Sequence, residues 1–412
     1  MKFRLSLSEP VRRALKWDAI AGTLGGLYMG GLFPFLGVIA RRDLGASPFL
    51  LALLNSSGSV GNLFNPLIAY RIRNKPKLPH VIWPGAAGRA IFLLMALPVA
   101  ALAPVYVGIC FAANAVGTLG SPAYAAVIRD AYPADRRGLL MGLVRVFAVG
   151  GSMIGALIGG TMLAHLSFRS VFPLAAAVGL LATLAFSRVG VRAAPDDPSA
   201  AERSLWESYR HIRADRAFSL YTTCFYLYGF GNLILGPVIP VFQVDELHIT
   251  PLWVGYLATT GAAFGMLGYL FWGRVLDRHG PFRLMLMVVA VVSLMPITYF
   301  FAHSVPVLLI AAAASGFGYA GGDLGYVNAA LKFGSRDSAA SYAGMFAFFQ
   351  ACRGIPGPFI GAALSGVLGL RPIFLIALVF YAISAAVIIG RGGLRMKEGA
   401  AVRWSAAEMG DE

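Results

Sequence analysis

The sequence contains the segment Gly273-Arg274-Val275-Leu276-Asp277-Arg278-His279-Gly280-Pro281-Phe282-Arg283, which separates two long apolar runs. The small Gly273 allows a helix end to approach a neighbour closely, and Gly280 followed by Pro281 favours a tight reversal of the chain. Asp277 is suited to accept hydrogen bonds from a helix N-terminus, and the arginines keep the turn in water. The segment therefore predicts two consecutive membrane helices joined by a short turn at the membrane surface.

The composition of the whole chain predicts a membrane protein. Of its 412 residues, 58% are hydrophobic and 13% are charged, with a mean hydropathy of +0.71, whereas soluble domains are about 25% charged. The net charge of +15 does not indicate nucleic-acid binding, because the lysines and arginines occupy short gaps between apolar runs. The three cysteines lie singly, so we predict no disulfide framework, no metal site and no cofactor.

Twelve apolar runs have a length suited to crossing a bilayer, which takes roughly 17 to 25 residues. The first run, of about 24 residues, is too long for the core of a signal peptide and is predicted to be a retained helix. The predicted all-α fold has an N-tail (1–16), a six-helix bundle (17–187), a linker with a surface helix (188–216), a second six-helix bundle (217–390) and a C-tail (391–412). Spans 1 to 12 are predicted at 17–40, 47–70, 81–100, 103–128, 138–164, 170–187, 217–243, 250–273, 284–302, 305–331, 339–365 and 370–390.

Positive charge is distributed unequally between the two ends of the spans. All but seven of the 34 lysines and arginines lie in the tails and in the gaps after even-numbered spans, which together define the basic face. The gaps after odd-numbered spans define the opposite face. The seven exceptions are Arg41, Arg42, Arg169 and Arg371 on the opposite face and Arg89, Arg145 and Arg353 within spans. Because positive loops stay in the cytoplasm, we predict that both termini are cytoplasmic and that the chain lies in the cell membrane.

The two predicted bundles repeat each other in sequence. Pro34 matches Pro237 at an offset of 203 residues, and Gly159 matches Gly361 at an offset of 202. A register that is kept over several spans indicates two related bundles, as in transporters built from parallel repeats that bind substrate between their halves.

The pattern G-x-x-x-D-R-x-G-x-x-R at 273–283, with twelve spans and an internal repeat, resembles the major facilitator superfamily over residues 17–390. The resemblance implies two pseudo-symmetric bundles, alternating access to a small-molecule substrate, and a monomer in the lipid bilayer. It also implies a cytoplasmic gate loop in which Asp277 caps the start of span 5 near Gly138. The gate-loop residues carried over are Gly273, Asp277, Arg278, Gly280 and Arg283.

Two features depart from the drug-antiporter subgroup of that superfamily. The glycine-rich run of span 5 lacks the proline of the subgroup's signature, which span 11 retains at Pro358, and Asn114 stands near the position of a usual arginine. Spans 5 and 11 both carry small residues at a spacing of four, which allows close helix contact. Two interpretations are open: a sliding interface between the halves, or static packing.

Ionisable residues inside a membrane are costly and usually functional or paired. Eighteen of the nineteen acids lie in the tails, the gaps or the helix ends; Asp323 in span 10 is the exception, so it is the predicted proton carrier. The alternative is a permanent ion pair, most simply with Arg353 of span 11, which lies near the midplane beside Gln350. Arg353 requires an anion, whether Asp323 or a group on the substrate. Arg89 is predicted to extend toward the membrane surface in a structural role.

In the superfamily, spans 1, 4, 7 and 10 line the central cavity, and this selects among the polar and aromatic residues of the spans. For each of these residues, the alternative is a structural role as a helix contact or an interfacial anchor. The predicted cavity residues are Tyr28, Asn55, Asn62, Asn114, Arg145, Tyr226, Tyr228, Asn232, Tyr319, Tyr326, Asn328, Gln350 and Arg353.

These observations favour a secondary transporter of a small organic solute, proton-coupled and exporting an amphipathic or anionic compound. Uptake of a small nutrient by a symporter or uniporter is the alternative within this class, and a non-transporting membrane scaffold is the alternative outside it. Nucleotide-driven transport is disfavoured because the chain has no G-x-x-x-x-G-K-[ST] loop. An enzyme is disfavoured because no nucleophile and base, or set of metal ligands, cluster in the spans.

Overall fold

The computed structural model describes residues 8–72, 75–133, 136–190, 216–333 and 348–391, without the side chains of residues 66, 69 and 326–333. Within these ranges, nine helices are long and apolar enough to cross a membrane. One of the nine contains two spans, and spans 2 and 11 are each interrupted by a single turn residue. The predicted surface helix of the linker and most of the C-tail lie outside the described residues.

The first bundle contains spans 1 to 6. Their helices are Glu9–Leu32 with Leu36–Arg42, Pro48–Leu63 with Asn65–Arg71, Lys77–Leu93, Ala103–Thr118 with Ser121–Ala131, Arg137–His165, and Phe168–Phe186. Span 1 begins at Glu9, eight residues before the predicted start at Trp17. The polar first turns remain helical because Pro10 is accepted at a helix start and the residues facing inward there, such as Ala14, are small and apolar.

The second bundle contains spans 7 to 12. Their helices are Arg216–Asp245, Pro251–Phe301 for spans 8 and 9 together, Leu308–Phe333, residues 348–354 with Pro356–Leu368, and Arg371–Gly390. The two bundles of six helices give the predicted fold class.

A single residue breaks the helix between spans 8 and 9. Gly280 has φ 75° and ψ 177°, a conformation that is essentially restricted to glycine, and Pro281 then starts span 9. Asp277 therefore lies in the last helical turn of span 8. The prediction that Gly273 permits a close helix approach is wrong, because no described atom lies within 4 Å of the position that its Cβ would occupy.

The glycine-rich faces of spans 5 and 11 pack partly inside their own bundles, at Gly155, Gly159 and Gly361, and partly against the other half, where Gly160 meets span 8 and Gly354 meets Ser59 of span 2. A Cβ at Gly155 or Gly159 would overlap the backbone of span 1 at Leu27 or Gly31, and a Cβ at Gly361 would overlap Ile234 of span 7. Gly159 on Gly31 and Gly361 on Ile234 are equivalent contacts in the sequence repeat. These two contacts, named here the glycine seams, favour static packing over a sliding interface between the halves.

Among the described residues, apolar packing joins the halves near one face. One hydrophobic core contains residues of both bundles, for example Phe35 and Phe92 with Phe242 and Tyr299, near the opposite face. Toward the basic face, each bundle has a core of its own. Within the described parts of the chain, the halves thus share a core near the opposite face and have separate cores toward the basic face.

Polar contacts also join the halves at the opposite face. Arg41, at the end of span 1, bonds to Asp245, at the end of span 7, with a shortest N–O distance of 2.5 Å. Gly160 of span 5 lies close against Pro251 and Gly255 of span 8. These contacts place the ends of spans 1 and 5 directly against the end of span 7 and the start of span 8.

Candidate functional site

Two cavities lie between the helices of this structure. The N-side cavity, of about 800 Å³, is lined by spans 1 to 4 together with spans 7 and 8. The C-side cavity, of about 810 Å³, is lined by spans 2, 7, 9, 10 and 11. Each of them receives residues from both halves, so the shape of both cavities changes if the halves move.

The N-side cavity receives three of the predicted residues, Tyr28, Asn55 and Asn114. Asn114 donates to the hydroxyl of Ser57 at 3.2 Å. Arg89 also lines this cavity, with its guanidinium 5.4 Å from the Tyr28 ring and bonded to Thr183. The structure thus gives Arg89 a bond to Thr183 within its bundle and a place on the cavity wall.

The C-side cavity receives seven of the predicted residues. The lining of this cavity includes both a carboxylate and a guanidinium. The seven are Asn62, Tyr228, Asn232, Tyr319, Asp323, Gln350 and Arg353.

Asp323 is bonded to a residue of the other half. Arg145 of span 5 donates to its Oδ2 at 3.0 Å, and Tyr269 of span 8 donates to the same oxygen at 2.8 Å. The Arg145 guanidinium also lies 5.0 Å from the centre of the Tyr269 ring. Water reaches this group, because the Arg145 side chain is 55% exposed and that of Asp323 is 24% exposed.

The alternative in which Asp323 pairs with Arg353 is wrong. Arg353 turns instead toward span 7, where its Nη1 donates to the carbonyl oxygens of Phe225 and Tyr226, and its Nη2 donates to Oε1 of Gln350 at 2.6 Å. Gly229 makes this possible, because a Cβ there would overlap the guanidinium. The Arg353 guanidinium is thus bonded to two backbone carbonyls of span 7 and to the amide of Gln350, and not to the carboxylate of Asp323.

Four predicted cavity residues have different outcomes. Arg145 lines neither of these two cavities but bonds to Asp323 on the wall of the C-side cavity. Tyr226 does not line either cavity; its ring stacks on Phe230 at 6.2 Å because it faces along span 7 rather than into the space. The side chains of Tyr326 and Asn328 lie outside the described residues.

The predicted cap on span 5 is absent from this structure. Asp277 is exposed, and within the described chain the N-terminus of the Arg137–His165 helix has no side-chain cap. Gly138, the predicted docking point, has open space at its Cβ position. The physical reason is the separation of the halves at the basic face, which keeps the end of span 8 away from the start of span 5. Arg278 and Arg283 flank Gly280 in the same turn.

The sequence analysis missed a buried carboxyl group. Asp18 is only 3% exposed, and the hydroxyl of Tyr132, just after span 4, donates to its Oδ2 at 2.6 Å. Burial and the neighbouring carboxylate raise the pKa of Tyr132 above its ordinary value, so that its hydroxyl remains a donor. Asp18 was assigned to a helix end because the helix starts earlier than the apolar run. Tyr269 was missed because nothing in the sequence of span 8 distinguishes it from the other tyrosine there, Tyr256.

Comparison with known proteins identifies the family. The sequence model of the Major Facilitator Superfamily matches residues 19–355 and 223–397. The chain belongs to this superfamily. It is accordingly a multi-pass membrane protein of a transporter superfamily.

Its similar relatives include the multidrug resistance protein MdtG of several bacteria. The chain is 25% identical to the protein of Dickeya zeae (strain Ech586) over 284 residues, which are 64% of this chain and 65% of that protein. It is 24% identical to the protein of Serratia proteamaculans (strain 568) over 302 residues, 69% of this chain and 71% of that protein. The match to the Dickeya relative thus spans less than two thirds of that protein's length.

Solved structures of other superfamily transporters share the fold. The nucleoside transporter NupG superposes with a TM-score of 0.67 at 13% identity, covering 92% of this chain and 98% of that one, and a point mutant of NupG gives a TM-score of 0.74 at 14% identity, covering 92% and 99%. A bacterial homologue of the human lysosomal transporter Spinster, in an inward-facing and unoccupied conformation, gives a TM-score of 0.67 at 16% identity, covering 95% and 98%.

Proposed function

We propose that this superfamily member is a proton-coupled exporter of a small amphipathic organic compound that works as a monomer by alternating access. The observation that carries the proposal is the bond between Arg145 of the first half and Asp323 of the second. An ion pair that joins the two halves at a water-accessible point is a natural place for a proton to control their arrangement.

The bond responds to protonation in a defined direction. A proton on Asp323 removes the negative charge, which leaves Arg145 without its anion and weakens the contact between spans 5 and 10. Release of that proton restores the ion pair and favours the arrangement seen here, closed at the opposite face. Proton binding at Asp323 thus shifts the populations of the two conformations.

Export is favoured by the sequence relatives, which are named multidrug resistance proteins. We take the basic face as cytoplasmic, so the space between the halves faces the cytoplasm and loads substrate there. Uptake of a nutrient and proton-independent uniport are the alternatives that the experiment distinguishes.

The experiment uses the purified full chain in liposomes that contain a pH-sensitive dye. Amphipathic anions, cations and neutral compounds, together with sugars, are added one at a time. We expect a substrate-dependent pH change in the wild type and its loss in Asp323→Asn. Asp43→Asn is the matched control, because Asp43 pairs with its neighbour Arg42 at the opposite face and should retain the flux.

Arg145 provides the second arm of this experiment. Arg145→Gln should reduce the flux, and Asp323→Asn with Arg145→Gln should be no worse than Asp323→Asn alone, because the two residues act through one bond. Substrate movement without a pH change in both wild type and Asp323→Asn would refute proton coupling at this site. Additive losses in the double variant would refute the role of the ion pair.

A further inference from the structure

We propose that Arg353 is an anion-binding residue and that the compound accepted by the C-side cavity carries a carboxylate or a similar single negative group. This inference deepens the proposed function and rests on it only in taking the C-side cavity as a substrate site. It commits to a charge class that the fold and the sequence relatives do not specify.

Arg353 is a buried cation that has no acidic partner among the described residues. The residue is only 6% exposed, and its guanidinium forms no ion pair with any described residue. A charge held out of water at this depth is costly unless an anion or a full set of hydrogen bonds compensates it.

The hydrogen bonds of Arg353 do not complete that set. A guanidinium has five N–H donors. Within the described chain, Nη1 of Arg353 forms two hydrogen bonds to backbone carbonyls, and Nη2 forms one to Gln350. The buried Nε has no partner among the described residues. The unused donors lie on a residue of the cavity wall, where an anionic oxygen would satisfy them.

The other charged group in this cavity does not compete for an anion's place. Asp323 is already bonded to Arg145 and Tyr269, so that its negative charge is compensated. One aromatic ring of the cavity wall is already occupied by this cation, because the Arg353 guanidinium lies 5.1 Å from the centre of the Phe225 ring. The cavity therefore presents an uncompensated positive charge.

The test measures equilibrium binding to the full chain in lipid nanodiscs, with no proton gradient. The probes are 2-naphthoate, its neutral isostere 2-naphthamide, and the cationic 2-naphthylmethylammonium. We expect naphthoate to bind about tenfold or more tightly than the amide, since a hydrogen bond to a charged group contributes that much. The ammonium compound should bind most weakly.

Two variants locate the effect at Arg353. Gln350→Glu places a carboxylate within hydrogen-bond distance of the guanidinium, keeps Arg353 in place, and should lower naphthoate affinity about tenfold without weakening naphthamide. Arg353→Lys keeps the charge and should retain part of the preference. Arg129→Gln, which removes an exposed arginine at the end of span 4, is the control for net charge and should change nothing.

The inference is overturned if wild type does not distinguish naphthoate from naphthamide, if it prefers the ammonium compound, if none of the three binds, or if Gln350→Glu leaves naphthoate binding intact. Should Arg353→Lys fail to fold, Gln350→Glu alone decides. Because no flux is measured, this result is separate from that of the liposome experiment. A chain that lacks proton coupling can still show the binding order, and a proton-coupled chain can fail to show it.

Discussion

Asp18 and Tyr132 form a polar contact inside an apolar cluster of the first half, where Val127, Leu140 and Phe186 surround them. Within the described chain, the Tyr132 hydroxyl donates a hydrogen bond to the Asp18 carboxyl group. Tyr132 also lies where span 4 ends and the turn to span 5 begins, so the contact fixes that turn to span 1.

We predict that Tyr132→Phe lowers the thermal stability of the protein more than Asp18→Asn does. The phenylalanine leaves a buried carboxyl group without its donor, at a cost of about 1–3 kcal/mol, whereas asparagine retains an oxygen that accepts from Tyr132. The measurement is the apparent melting temperature of each variant in detergent. Equal losses, or a larger loss for Asp18→Asn, would show that the hydrogen bond does not stabilise this region.

At the scale of the element, the glycine seams decide which helices form one rigid unit. Span 5 fits against span 1 and span 11 against span 7, with backbone approaching backbone where a side chain has no room. Each seam lies within one bundle. We therefore infer that helices within a half move together and that the change of conformation occurs between halves.

We predict opposite effects for two neighbouring glycines of span 5. Gly155→Ala places a methyl group against the carbonyl of Leu27 and should cost about 1–3 kcal/mol through overpacking. Gly150→Ala, where the structure describes no atom within 4 Å, should be neutral or stabilise by up to about 1 kcal/mol through helix propensity. Melting temperatures check both. A sliding seam would instead leave the stability of Gly155→Ala unchanged while reducing transport.

Some elements were predictable from sequence and others were not. The spans follow from runs of hydropathy, and the basic face follows from charge, because both patterns are local in the chain. The partner of Asp323 was not predictable, because Arg145 lies 178 residues away and meets it only through the way two bundles dock. The start of span 1 was missed because helical hydrogen bonding continues past the apolar run that hydropathy detects.

At the scale of the whole molecule, the two halves are held by a large apolar contact at the opposite face and by few polar ones. The shared core near that face contains residues of both bundles, and the Arg41–Asp245 pair lies at its edge. Because both side chains of the pair are partly exposed, its contribution is about 0.2–1 kcal/mol. That is enough to shift a balanced conformational equilibrium by a factor of up to about five.

We predict that Arg41→Gln increases the population open at the opposite face. Spin labels at Leu166→Cys of the first half and Val307→Cys of the second, in a variant without the native cysteines, report the distance between exposed ends of the halves. The long-distance fraction should rise in Arg41→Gln. Arg42→Gln is the control, because Arg42 pairs with the adjacent Asp43 in its own half. A rise of the same size in the control would remove the Arg41–Asp245 pair as the cause.

The one-residue break at Gly280 also bears on how the protein is made. Between Pro251 and Phe301 only this glycine departs from helical geometry, and Arg274, Arg278 and Arg283 flank it on the basic face. A turn this short leaves no loop that would let one helix settle in lipid well before the other, and its arginines are retained on the side of synthesis. We therefore expect spans 8 and 9 to enter the membrane together, as one helical hairpin.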